Sequence, residues 1–193
     1  MILIVLPDIP TEDRLLSDAR RGDADAIMQI YEQYFPPVYQ FIRLRVEDTA
    51  LAEDLCSDVF LKLVDALRGG SAPRHSLRGW IFRVARNELH THFGRIRRFP
   101  VTSLEEWTPV PPDDDLEVQI IRSFDLERAR RVLRMLNPEQ QEVLILRFGQ
   151  KLDLQATADI MGKSVSAIKS LQFRAVNTLR QLLGEMRTEV EHG

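Results

Sequence analysis

Apolar residues recur every third or fourth position along most of this chain, and only the opening "ILIV" reads as strand-like. In "AEDLCSDVFLKLVDAL", a wheel of about 100° per residue puts Leu55, Val59, Phe60, Leu63, Ala66 and Leu67 on one arc. Asp54, Asp58 and Asp65 fall within about 40° of one another elsewhere on that helix, bordered by Leu61 and Val64. In "SLRGWIFRVARNELHTHFGRIRR", Leu77, Trp80, Ile81, Val84 and Ala85 share an apolar arc. Arg83, Arg86, Asn87, His90, Gly94 and Arg97 lie opposite, so the charges form a stripe.

Interruptions in this periodicity divide the chain. "RRGD" (Arg20 to Asp23), "RVED" (Arg45 to Asp48) and "RGGSAPRHS" (Arg68 to Ser76) break residues 11–98 into helices. Residues 99–117, "FPVTSLEEWTPVPPDDDLE", hold four prolines and six acids with no base, the composition of an extended linker. Helical periodicity returns at Val118. Asn137-Pro138-Glu139-Gln140 has the chemistry of a helix start: Asn as N-cap, Pro at the first position, Gln reaching back from the third. That helix is expected to run through Phe148. Asp153 then caps a short helix ending at Gly162, and Ser164 caps a longer one. The expected fold class is all-α: two small helical domains, residues 11–98 and 118–184, joined by an acidic proline-rich linker.

The last two helices have the proportions of a helix-turn-helix. Ile168, Leu171, Ala175, Leu179 and Leu182 face inward on the second, while Ser166, Lys169, Ser170, Phe173, Asn177 and Arg180 face outward with Arg174 and Gln181 at the edge. An exposed Phe173 among small polar and basic residues invites a cover, such as a thymine methyl in a major groove or a protein surface.

Composition changes the picture in one respect. The 193 residues carry 26 basic and 29 acidic side chains, a formal charge of -3, so global attraction cannot hold a polyanion and only a segregated patch will do. Arg74 to Arg98 is such a patch, with seven arginines against the single acid Glu88. Arginine neutralises phosphate and Asn87 offers a paired donor and acceptor, which suits a nucleic acid; a solvated face or a membrane-surface helix shares the same pattern. Trp80, beside Val84, reads as core rather than as a stacking platform. The row of aspartates bordered by aliphatics suits docking on a basic helical surface and equally an ordinary solvated face.

Other chemistries find little support. Cys56 is the only cysteine, which excludes an internal disulfide and a multi-thiolate zinc site and fits a reducing compartment. His90 and His92 point about 200° apart on a helix and do not make one metal site. "MILIVL" stops at Pro7 without a basic flank, no later run is long enough to span a bilayer, and a cytoplasmic protein is expected. No phosphate-binding glycine loop, carboxylate cluster over a pocket, or Cys or Ser nucleophile with a placed base marks an enzyme, and no cofactor is expected.

Together these segments resemble the extracytoplasmic-function group of bacterial RNA polymerase sigma factors, over nearly the whole chain. "LLSDARRGDADAIMQIYEQYFPPVYQFI" looks like the first helices of that group's N-terminal domain (sigma region 2), "AEDLCSDVFLKLVDAL" like its polymerase-binding helix, and "SLRGWIFRVARNELHTHFGRIRR" like its promoter-melting segment. "LNPEQQEVLILRFGQKLDLQATADIMGKSVSAIKSLQFRAVNTL" resembles its C-terminal helix-turn-helix domain (sigma region 4).

The resemblance implies a subunit without catalysis of its own, which binds core RNA polymerase and promoter DNA, both duplex and melted. Asp54, Asp58, Leu61 and Asp65 would dock on a coiled coil of the largest polymerase subunit. Ser71 to Ser76 would form a loop that captures an extruded base of the minus-ten element, with Arg74, His75, Ser76, Arg78, Arg83, Arg86, Asn87, His90 and Arg97 along the strand. The second helix of the C-terminal pair would read the minus-thirty-five element through Ser164, Ser166, Lys169, Ser170, Phe173, Arg174 and Asn177. The linker would run toward the active-site and RNA-exit channels, and a separate anti-sigma protein would hold the subunit inactive. Two departures stand out: Ser57-Asp58 where the group usually has Gln-Glu, and Lys169-Ser170-Leu171-Gln172 where Lys-Ser-Arg and an aliphatic are common. The alternatives are a two-domain DNA-binding regulator that never joins polymerase, which has no need of the acidic face, and a nucleic-acid enzyme.

Overall fold

The computed structural model describes residues 9–74, 76–96 and 126–191, with side chains over 12–74, 76–94 and 131–183. The expected linker, the "ILIV" segment, His75, Arg97 and residues 118–125 lie outside the described residues. Every regular element among the described residues is helical, and the chain divides into two compact units between Phe99 and Pro100.

The first unit is a four-helix bundle of α1 (Ile9–Arg20), α2 (Ala24–Arg43), α3 (Thr49–Arg68) and α4 (Leu77–Ile96). Local chemistry starts two of them. Asp23 accepts from the Asp25 and Ala26 amides at 2.9 and 3.1 Å, and Asp48 accepts from Ala50 and Leu51 at 2.9 and 3.3 Å, so each carboxylate satisfies donors that the first helical turn leaves free. α2 continues through Pro36 and Pro37, which deprive the Glu32 and Gln33 carbonyls of their helical donors. Packing outweighs that loss: Ile30, Tyr34, Val38, Phe41 and Ile42 of α2 are wholly buried against Leu16, Val59, Leu77, Ile81, Phe82 and Leu89, each large side chain contributing about 1.5–3 kcal/mol. The Phe41 and Phe82 rings meet edge to face at 5.5 Å. The arc expected for α3 is inside, and Cys56 is a core residue.

On α4 the wheel needs adjustment. Leu77, Ile81 and Ala85 are buried, joined by Phe82 and Leu89, whereas Trp80 and Val84 are only half-buried at the edge of the bundle. The core-facing arc is rotated by most of a residue from the one the sequence indicates.

The second unit comprises α5 (Leu126–Met135), α6 (Pro138–Leu144), α7 (Leu154–Met161) and α8 (Val165–Glu191). The Asn137 capping box is present with Pro138 in the first turn. Asp153 accepts from the Ala156 amide at 2.7 Å, Gly162 takes the left-handed conformation with φ 66° that ends α7, and Ser164 accepts from the Ala167 amide at 3.2 Å. The helix begun at Pro138 runs through Phe148 as expected, but it is α-wound only to Leu144: Ile145–Gly149 forms a π-helical turn, followed by Lys151 at φ 53°. Val132, Leu136, Val143, Leu146, Ile160 and Ile168 fill the core around α8.

Candidate functional site

α3 presents its acids as the wheel predicts: Asp54, Asp58 and Asp65 are exposed, and among them stands Leu61, 61% exposed. A leucine this open costs solubility unless a partner covers it. Sequence reasoning missed how far the apolar surface extends. Met28 is 57% and Tyr31 41% exposed on the neighbouring helix α2, where with Ile27, Val64 and Leu67 they line an open hollow of about 780 Å³. The signal was available: Ala26, Ile27, Met28, Ile30, Tyr31, Tyr34 and Phe35 make an apolar stripe too wide for one buried face. Tyr31 is held by edge-on contact with Phe60, ring centroids 5.0 Å apart.

The loop between α3 and α4 is fixed from behind. Gly69 ends α3, Gly70 turns the chain at φ 70°, and the Ser71 and Ala72 amides both reach the Ala66 carbonyl at 2.9 Å. From α1, the Arg20 guanidinium donates to the Ala72 and Pro73 carbonyls at 2.9 and 3.0 Å. Ala72 is buried, while the Ser71, Arg74 and Ser76 side chains face out. Ser76 sits at φ 55° and its carbonyl accepts from the Trp80 amide at 3.1 Å. A Cβ on Gly79 would stand 2.6 Å from the Ser76 hydroxyl, so the first turn of α4 has room for glycine alone unless that hydroxyl moves.

On α4, Arg83, Asn87 and His90 are exposed and Arg86 half-buried, spaced three and four apart as one stripe. Arg78 is placed differently from its neighbours. Its backbone amide donates to Glu12 at 2.9 Å and its guanidinium Nε lies 3.9 Å from the same carboxylate, which also accepts from the Tyr34 hydroxyl at 2.7 Å. Glu12 is 3% exposed. Glu88, the lone acid between Arg74 and Arg98, pairs with Lys62 and ties α4 to α3.

Along α8, Ser166 and Lys169 are exposed. Ser164 serves as the cap and contacts Ser166 at 3.0 Å, and the Ser170 hydroxyl donates to the Ser166 carbonyl at 3.1 Å. Arg174 and Asn177 are half-buried, with Asn177 accepting from Arg180 at 3.3 Å. Phe173 corrects the sequence reading, since it is half-buried rather than exposed. Leu171 and Gln172 both point inward, at 5% and 2% exposure. Gln172 accepts from Arg147 Nε at 2.8 Å, and Arg147 also bonds the Leu152 carbonyl, so the departure at Gln172 is absorbed by the core. Among the described residues no three His, Cys, Asp or Glu side chains converge as for a metal ion.

Comparison with known proteins gives matches in both units. Residues 30–99 match the family described as Sigma-70 region 2, and residues 127–181 match Sigma-70, region 4. The chain is 38% identical over 170 residues to the ECF RNA polymerase sigma factor BldN of Streptomyces coelicolor, a match that takes in 88% of this chain and 64% of that relative's length. Two solved structures share the fold. CnrH, in complex with the cytosolic domain of CnrY, aligns over 90% of this chain and 97% of its own with a TM-score of 0.68 at 23% identity. The sigma factor RpoE from Bartonella quintana, in complex with the anti-sigma factor NepR, aligns over 81% of this chain and 96% of its own with a TM-score of 0.63 at 24% identity.

Proposed function

The chain belongs to the extracytoplasmic-function family of RNA polymerase sigma factors, and on that premise we propose that it joins core RNA polymerase and directs initiation at promoters with minus-thirty-five and minus-ten elements. One observation carries the reading: an acid-faced helix bearing an open leucine packs directly against an arginine-striped helix in the same bundle. A plain DNA-binding regulator has use for the second face and none for the first.

In this reading Asp54, Asp58, Leu61 and Asp65, extended by Met28 and Tyr31, dock on a basic, partly apolar helical surface of the polymerase. Ser71, Arg74 and Ser76 of the loop meet an extruded base, and Arg83, Arg86, Asn87 and His90 follow the backbone of the melted strand. Ser166, Lys169, Arg174 and Asn177 face duplex DNA from α8. The protein contributes binding and strand capture, with no reaction of its own, in the cytoplasm where polymerase and DNA reside. No helix among the described residues is long and apolar enough to cross a membrane. A separate anti-sigma protein covers the docking surface in the inactive state, because Met28, Tyr31 and Leu61 otherwise stand open to water.

Transcription of fragmented host DNA by sigma-free core polymerase, with and without the protein, tests this when the new 5′ ends are sequenced. Protein-dependent starts sharing two spaced upstream motifs are the expected result, abolished by D54K/D58K. Clean duplex binding with no new starts overturns the reading in favour of the plain regulator.

A further inference from the structure

α1 carries none of the residues assigned to polymerase or DNA, yet two of its side chains reach the segment that does. Arg20 donates two hydrogen bonds to consecutive carbonyls, Ala72 and Pro73, at a sequence distance of more than fifty residues. Glu12, buried to 3% exposure, accepts from the Arg78 amide on the far side of the same loop, in the first turn of α4. Tyr34 of α2 fixes the other Glu12 oxygen at 2.7 Å. Such a carboxylate is costly to bury unless it is paired and hydrogen-bonded, and here one backbone donor and one hydroxyl on two other helices meet it, with the Arg78 guanidinium 3.9 Å away as its opposite charge.

The loop is therefore clamped at both ends by one helix. Arg20 holds its entry, Glu12 its exit, and between them only residues 74–77 remain. Ser71, Arg74 and Ser76 are exposed, while Ala72 beside them is buried and Ser76 occupies a left-handed conformation at φ 55°. A pocket that must receive a flipped base gains by having its walls set beforehand, because ordering a free loop at the moment of capture costs conformational entropy.

We propose that Glu12 and Arg20 are positioning residues for minus-ten recognition: α1 pre-sets the placement of Ser71, Arg74 and Ser76 in the loop and thereby its discrimination at the captured base. The inference rests on the reading of that loop as the base-capturing element.

The test uses full-length protein assembled with core polymerase and a single-stranded oligonucleotide carrying the upstream motif from the mapped start sites. A second oligonucleotide is abasic at the captured position. Arg20→Ala lowers affinity for the matched strand about tenfold, the value of one charge-assisted hydrogen bond, and leaves the abasic strand within about twofold. Affinity for core polymerase stays unchanged, which reports an intact bundle. Glu12→Gln, which keeps an acceptor for the Arg78 amide, is milder in the same direction, and Arg20→Lys recovers part of the loss. Equal weakening of matched and abasic strands, or loss of core affinity in step with DNA affinity, overturns the proposal by making α1 merely structural. A loop variant, S71G/R74G, separates the two readings. If it leaves discrimination intact, the loop assignment falls and the proposal with it; if it destroys discrimination while both α1 variants behave as wild type, the proposal alone falls.

Discussion

Single buried groups set how the protein responds to pH. Burial pushes the Cys56 thiol from 9.0 up to about 12. Burial, and after it the hydrogen bond to Glu12, pushes the Tyr34 phenol in the same direction. Both are acids whose neutral form the fold favours, so the unfolded chain releases their protons first as pH rises. The stability they contribute is therefore complete below the ordinary thiol range and declines above it toward the folded value, by about 1.4 kcal/mol per pH unit for a group that titrates only when unfolded. Urea midpoints measured from pH 8 to 11 are expected to fall, and Cys56→Ala removes the thiol's share of that slope. Rapid modification of Cys56 by a thiol reagent in the native protein at neutral pH contradicts this account. That Cys56 is a core residue was legible in the sequence, because its helical neighbours Leu55 and Val59 define the arc. The Glu12–Tyr34–Arg78 cluster was not, because its members are as much as 66 positions apart and nothing local marks a glutamate as buried.

At the scale of the helix, what the sequence discloses is what local chemistry decides. Asn137, Asp153, Gly162 and Ser164 each satisfy backbone groups or turn the chain within a few residues, so their roles are legible in the order of residues alone. The π-helical turn at Ile145–Gly149 is a different case: "VLILRFG" keeps an apolar rhythm compatible with either winding. Tertiary bonds accompany the choice, with Arg147 joining Gln172 of α8 and the Leu152 carbonyl. Phe173 departs from its expected exposure for a related reason, since a wheel gives direction and not what stands beside it. Arg147→Ala takes a charged donor from Gln172, a side chain at 2% exposure, and is expected to destabilise the second unit by about 2 kcal/mol. R147A/Q172L recovers most of that loss, because the double variant leaves no amide to satisfy. Calorimetry of the four proteins in this double-mutant cycle measures the coupling, and additive losses would show that the pair contributes nothing.

For the whole molecule, the formal charge of -3 conceals two opposed faces. Asp54, Asp58 and Asp65 lie exposed on α3, and Arg83 with its neighbours on α4, so each surface keeps its own sign at short range despite salt. Binding of the polymerase-bound protein to the melted strand is expected to weaken steeply with salt, and each of Arg74→Ala and Arg83→Ala to make the log–log slope shallower by about 0.7. A slope unchanged by both variants would mean that neither touches phosphate. The division into two helical units was legible in the proline-rich acidic stretch, whereas Met28 and Tyr31 escaped because a stripe wider than one face does not say which edge stays open. The Lys62–Glu88 pair has one more consequence. α3 and α4 share a core and are tied across their surface, so the face proposed to grip polymerase and the face proposed to grip DNA keep a fixed separation. Under that proposal the bundle acts as a gauge: the interval from the captured minus-ten base to the first transcribed base is set in part by a dimension of the protein, and start sites at unrelated promoters are expected to fall at one spacing from it.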